Sequence, residues 1–311
     1  MYLCSSEKNK MNESEVHIGE IVDLTTICLS FPEIALGSDD ATMDFCIPRD
    51  NIITTIDKMF DTGVQVIGVE GEEGIGRTTL FAQYARKKSN NTFSLFIKPS
   101  TKWGFDPLML QYDICNQLNW FFYKERIDNL DVANDTFLRN HLLKLQQYSR
   151  IYKQTFIFVV DGLEDIPQEA QESREIILDI LPFGMPNFKF LIAADPNILP
   201  ERKRKGLLCK SFPLVGFNYD EVEKFFSEIP IEKDDLEEIY STCNGIPGKL
   251  SSIKRILKSG VDIKTFVNDM PNKIPNLFEL EWDNVHNKGE SLEKILAILA
   301  HDNNILNKSF Y

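Results

Sequence analysis

The sequence predicts an α/β fold: a parallel sheet flanked by helices, followed by a small helical lobe. Three observations predict it. Between residues 64 and 214, apolar runs of strand length alternate with longer segments of helical periodicity. One of those strands, Val64 to Val69, runs straight into a glycine-rich turn and then a helix, within Val-Gln-Val-Ile-Gly-Val-Glu-Gly-Glu-Glu-Gly-Ile-Gly-Arg-Thr-Thr-Leu at residues 64 to 80. From Asn218 onward the strand pattern stops and helical periodicity takes over.

Residues 1–44 mix apolar and polar side chains. Pro32, Gly37 and the Asp39-Asp40 pair interrupt them, so they read as a partly ordered arm or part of a small N-terminal module. Ile47-Pro48-Arg49-Asp50 sets the start of a helix reaching Phe60, with Ile52, Ile53, Ile56, Met59 and Phe60 at helical spacing. After the strand and the turn Gly71 to Gly76, a helix to about Lys88 turns Leu80, Phe81, Tyr84 and Ala85 inward. Phe93 to Ile97 is the next strand. Asp106-Pro107 opens a long helix, because proline suits the first helical position. Its apolar face is Leu108, Leu110, Ile114, Leu118 and Phe121. A second helix, Thr136 to Tyr152, carries Phe137, Leu138, Leu142 and Leu145. In that helical context Trp120-Phe121-Phe122-Tyr123 reads as core packing rather than a base-stacking platform.

Thr155 to Val160 is continuously apolar, as suits a strand buried on both faces, and it ends in Asp161-Gly162-Leu163-Glu164-Asp165. A helix from Glu169 to Leu181, a strand from Phe188 to Ala194 and a weaker strand from Lys210 to Leu214 complete the α/β part. The lobe helices are Asp220 to Glu228, Asp234 to Cys243 and Gly248 to Leu257, with Asn244-Gly245-Ile246-Pro247-Gly248 between the last two. Residues 260–290 read as loop-rich, with Pro271 and Pro275, and Leu292 to Ala300 as one more amphipathic helix. The expected organisation is an arm at 1–44, an α/β domain at 45–215, a helical lobe at 216–260 and a linker with a further start at 261–311.

Composition narrows the function classes. A net charge of −13 over 311 residues disfavours a generic nucleic-acid or acidic-membrane surface. The basic run Arg202-Lys203-Arg204-Lys205 has no interleaved aromatics and reads as a solvated loop. The six cysteines form no Cys-x-x-Cys pair and the four histidines show no metal-ligand spacing, which suits a reducing, cytoplasmic setting. No apolar run reaches the length of a membrane helix, and the N-terminus lacks a signal-peptide core, so no membrane partner is expected.

The glycine stretch carries chemistry. Gly71, Gly74, Gly76 and Thr78 fit the phosphate-binding pattern of glycine, four residues, glycine, lysine, then serine or threonine, and Arg77 stands in the lysine position. Such glycines let backbone N–H groups wrap an anion, and the following helix adds the positive end of its dipole. The Thr78 hydroxyl is placed to ligate Mg²⁺. Arg77 keeps the charge, but its planar fork cannot put a compact cation where an ammonium would sit, so phosphate binding should survive better than hydrolysis. Hydrolysis also needs an acid at the end of a strand beside the phosphate-loop strand to hold Mg²⁺, and a second acid to orient water. Asp161 fits the first role; Glu164, and after it Asp165, are the candidates for the second. The predicted core is therefore a P-loop NTPase.

In order along residues 45–260, these motifs resemble the signal-transducing NTPases called STAND proteins, which include the NACHT and NB-ARC switches. Ile47-Pro48-Arg49-Asp50 is similar to their hydrophobic-Gly-Arg-Glu opening motif, with Pro48 for glycine. Gly71 to Thr78 matches Walker A, Val159 to Asp165 the NACHT-type Walker B, and Gly245-Ile246-Pro247 the Gly-x-Pro of the lobe. The resemblance implies an ATP/ADP switch with Mg²⁺. Phosphates would lie on Gly71, Gly74, Ile75, Gly76, Arg77, Thr78 and Thr79, the metal on Thr78 and Asp161, and adenine near Ile47 and Pro247. Arg49 would either reach the nucleotide or cap its helix. It further implies self-association in the ATP state, an unidentified protein partner, and a winged-helix-like region opening at Leu292. Arg77, and the missing arginine in the strand ending Ile192-Ala193-Ala194-Asp195, weaken the hydrolysis expectation. A nucleotide-binding scaffold without turnover, and a DNA-associated ATPase of the replication-initiator type, are the alternatives.

Overall fold

The computed structural model describes residues 46–98 and 102–268. The expected N-terminal arm and the helix at Leu292 to Ala300 lie outside the described residues. Within them the chain forms two compact units: residues 50–68 with 78–211, and residues 46–49 with 69–77 and 212–268. The cuts fall inside two strands and at the end of the glycine turn, so residues 69–77 go with the helical residues.

The first unit is the α/β part. Its elements are α1 (Asp50–Asp61), β1 (Val66–Glu70), α2 (Arg77–Lys87), β2 (Thr92–Phe96), α3 (Pro107–Tyr123), α4 (Asp135–Tyr152), β3 (Phe156–Asp161), α5 (Gln171–Ile180), β4 (Phe188–Ile192), α6 (Glu201–Arg204) and β5 (Cys209–Pro213), with β1, α2 and β5 each straddling a cut. The five strands make one parallel sheet in the order β2-β3-β4-β1-β5. The acid-bearing strand β3 is therefore not beside β1, as the sequence reading required. β4 lies between, with Phe190 opposite Phe158 on one side and Val66 on the other.

That register builds the core. Phe93, Phe158 and Phe190 stand in line across β2, β3 and β4, and their rings stack at 5.3 and 5.4 Å between centroids. Every residue of β3 is buried, as a continuous apolar run in a helix-covered parallel sheet demands. At the edge strand β2, the backbone N–H and C=O of Ser94 are both taken by the Gln117 amide of α3, at 2.9 and 2.8 Å. That bond pair satisfies groups an edge strand would otherwise leave to another chain. The start of α3 is as read: Asp106 accepts from the Leu108 and Met109 N–H groups, with Pro107 at the first position.

Three local expectations change. Leu108 is 64% exposed; two residues from Leu110, it points to the opposite side of α3. Phe121 and Phe122 pack on the core, but Trp120 and Tyr123 are exposed at the rim. The basic run is not a loop: Glu201–Arg204 is one helical turn, and Arg202 and Lys203 reach Asp179 of α5 at 3.4 and 2.8 Å. The Lys203 hydrogen bond, with the charges of Lys203 and Arg202, holds the Asp179 carboxyl below its ordinary range, against the opposing effect of burial.

The second unit has its own core. α7 (Tyr219–Phe225) opens on a capping box between Asn218 and Glu221. α8 (Lys233–Cys243), α9 (Pro247–Lys258) and α10 (Ile263–Asn268) follow. Phe225, Phe226, Ile239, Leu250, Ile253 and Phe266 pack together and are all buried. α10 falls in the stretch read as loop-rich; Phe266 and Val267 bury against the lobe and hold it helical.

Candidate functional site

In the α/β unit, β3 delivers Asp161 at its last residue, 7% exposed. The chain then turns at Gly162, whose φ is +79 and where a Cβ would come within 2.3 Å of the Ile97 carbonyl oxygen. Only glycine fits such a left-handed, close-packed turn. Thr78 stands in the first turn of α2, and its hydroxyl donates to Asp161 Oδ2 at 2.6 Å. Glu164 is half-buried three residues on, and Asp165 is exposed. The strand between, β4, leads to Asp195, whose carboxylate accepts from the Asn197 N–H at 2.6 Å and so caps its own turn.

In the helical unit, the glycine turn is built from the backbone. The Ile75 N–H donates to the Glu72 carbonyl at 3.2 Å across a turn with Gly74 at φ +77, the third position of a type II turn. Gly76 follows at φ +92. The Ile75 side chain is buried and anchors the turn, with Gly71 packed against it. Arg77 and Thr79 are half-buried. The helix that begins at Arg77 has no acid of its own in its first turn; the negative group that meets it there is the Asp161 carboxylate, on Thr78.

A threonine that follows a glycine turn and bonds the carboxylate ending a buried parallel strand decides the class. The fold is P-loop NTPase-like.

Other residues of the second unit meet this P-loop. The Gly248 N–H donates to the Gly74 carbonyl at 2.8 Å. A Cβ built on Gly76 would meet Pro247 Cγ at 3.7 Å. Ile47 packs half-buried on the lobe core. Arg49 is 7% exposed: it donates to the Val215 carbonyl at 2.7 Å, lies 3.9 Å from Glu221 and sits over the Phe217 ring at 5.0 Å. Burial lowers its pKa and the Glu221 carboxylate works the other way.

The residues suit Mg²⁺. It takes oxygen ligands and keeps waters and phosphates in its shell, and the hydrogen bond between the Thr78 hydroxyl and the Asp161 carboxylate brings two such oxygens together, one to ligate the metal and one to hold its water. Among the described residues no cluster of three or more His, Cys, Asp or Glu could hold a metal alone. Sequence reasoning missed two parts of the arrangement. One is Gly248, whose only signal is a glycine directly after a helix-opening proline. The other is the interposed β4, which no periodicity reveals.

No protein-family model matches the chain. It is 23% identical over 285 residues to a probable disease resistance protein of Arabidopsis thaliana, covering 83% of this chain and 29% of that protein. The chain thus spans less than a third of that relative. It is 26% identical over 196 residues to a probable thymidylate kinase of Picrophilus torridus, covering 59% of this chain and 93% of the kinase. Among solved structures it is similar to Cdc6p from Pyrobaculum aerophilum (13% identity, TM-score 0.42, 74% of this chain and 66% of that one). It is also similar to the Aeropyrum pernix ORC2 protein in its ADPNP–ADP complexes (14% identity, TM-score 0.44, 76% and 67%). Among the described residues no helix is long and apolar enough to cross a membrane.

Proposed function

We propose that this chain binds ATP and ADP with Mg²⁺ and acts as a nucleotide-dependent switch of the STAND type with slow hydrolysis. The hydrogen bond from Thr78 to Asp161 carries the reading. It joins the residue that would ligate the metal with the residue that would hold its water shell. The phosphates would be held by backbone N–H groups of residues 74–79 and by Arg77. Mg²⁺, when bound, would neutralise developing phosphate charge. Glu164, half-buried beyond Asp161, is the better placed of the two acids to orient water, since Asp165 faces solvent. The likeness to a probable disease resistance protein, over 83% of this chain and 29% of that protein, supports the switch reading. Self-association in the ATP state and a protein partner in the cytoplasm belong to the same proposal.

Calorimetric titration with ATP and ADP, with and without Mg²⁺, tests it. Micromolar binding is expected, weakened about tenfold or more in Thr78→Ala, with Mg²⁺ dependence lost in Asp161→Ala. Folded protein that binds neither nucleotide would sink the proposal. Arg77 favours a second reading, a nucleotide-holding scaffold without turnover. No detectable turnover even in Arg77→Lys, alongside tight ADP binding, would select it.

A further inference from the structure

Helix α9 begins without a side-chain cap, and its first residue, Pro247, has no N–H to offer. The first donor of the helix is the Gly248 N–H, and it goes to the Gly74 carbonyl at 2.8 Å. The phosphate loop is therefore part of the N-terminal cap of α9. The approach is close: a Cβ on Gly248 would lie 2.9 Å from Gly74 Cα and 3.1 Å from its oxygen. Any larger residue would push the loop.

We propose that Gly248 is a positioning residue for the phosphate loop, and that through this bond α9 registers what the loop holds. The proposal deepens the nucleotide-switch reading and rests on it for the identity of the ligand. Its mechanism is the planarity of one peptide. The Gly74 carbonyl and the Ile75 N–H belong to the same plane and point in opposite directions. Fixing the oxygen on Gly248 fixes where that N–H points. In this structure it closes the turn on the Glu72 carbonyl at 3.2 Å, a long bond. A phosphate that draws the loop N–H groups toward itself turns this peptide, and the carbonyl capping α9 turns with it. The coupling runs inside one compact unit, since residues 69–77 and 212–268 belong together.

Hydrogen exchange on the full chain, with and without ADP, tests this beside fluorescent-ADP titration. Without nucleotide, Gly248→Ala should speed exchange at amides 72–76 by about tenfold, the scale of a lost cap. Its ADP affinity should fall by a similar factor. Ser251→Ala, in the same helix, should change neither. In the wild type, ADP should alter exchange at amides 248–250 as well as in the loop. Loop exchange unchanged in Gly248→Ala, or ADP acting on the loop alone, would overturn the proposal. A wild type that binds no ADP removes the nucleotide reading, while the nucleotide-free exchange of the two variants still decides whether Gly248 holds the loop. Should Gly248→Ala fail to fold, the wild-type comparison decides.

Discussion

The Thr78 hydroxyl, Arg77 and Gly162 each make a separate physical demand. Thr78 must reach Asp161, and it does so directly. Arg77 opens α2, where a cation and the positive end of the helix dipole together favour a bound anion. Replacing it with lysine restores a compact charge that can follow phosphate as it is transferred. Arg77→Lys should therefore raise single-turnover ATP hydrolysis by about tenfold or more while ADP affinity changes little. A fall in hydrolysis would show that the guanidinium itself carries the chemistry. Gly162 is constrained by shape alone. Gly162→Ala places a methyl group 2.3 Å from the Ile97 oxygen at φ +79, so urea unfolding should show a loss of about 3 kcal/mol. A loss below about 1 kcal/mol would mean that the turn after β3 relaxes freely.

Arg49 links residue to element. In sequence it sits in an opening motif, and a basic residue defaults to solvent or ligand. The structure buries it against the Val215 carbonyl 166 positions later, over the ring of Phe217. Only tertiary contact could reveal that. Arg49→Ala removes a charged donor from a buried carbonyl and strands part of the Glu221 pairing, so the helical unit should lose about 2–3 kcal/mol. Lysine should recover less than half of this, because it has no fork to span both partners. If ADP affinity fell sharply while unfolding stayed the same, Arg49 would belong to the ligand instead. The elements themselves were largely legible. β3 read as a strand because its apolar run up to Val160 has no polar face, and α3 because Asp106-Pro107 is a cap followed by a first-turn proline. Their order in the sheet was not, because an apolar run says that a strand is covered and says nothing of its neighbour. For the same reason β4 was placed correctly along the chain but not between β1 and β3. The helix α10 was read as loop; in the structure Phe266 and Val267 bury in the lobe core, a tertiary contact that no local pattern shows.

At the scale of the whole molecule, the two units carry separate apolar cores, and among the described residues each core holds one buried cysteine. Cys115 lies in the first and Cys243 in the second. Burial, with Asp135 and Asp113 nearby, pushes the Cys115 thiol up to about 12, and burial takes Cys243 to about 12 against the opposing charge of Lys249. A raised thiol pKa means almost no thiolate at neutral pH, so neither reacts until its own core opens. Pulsed thiol labelling across a urea series should then report two unfolding midpoints, one per cysteine. ADP should raise the Cys243 midpoint, because the glycine turn belongs to the unit that buries Cys243. At a hundredfold excess over Kd the stabilisation should be about 2.7 kcal/mol if the unfolded chain does not bind. A single shared midpoint would show that the two cores unfold as one. A Cys243 midpoint unmoved by saturating ADP, in protein that demonstrably binds it, would place the ligand's stabilising contacts outside the lobe and remove the lobe from the switch.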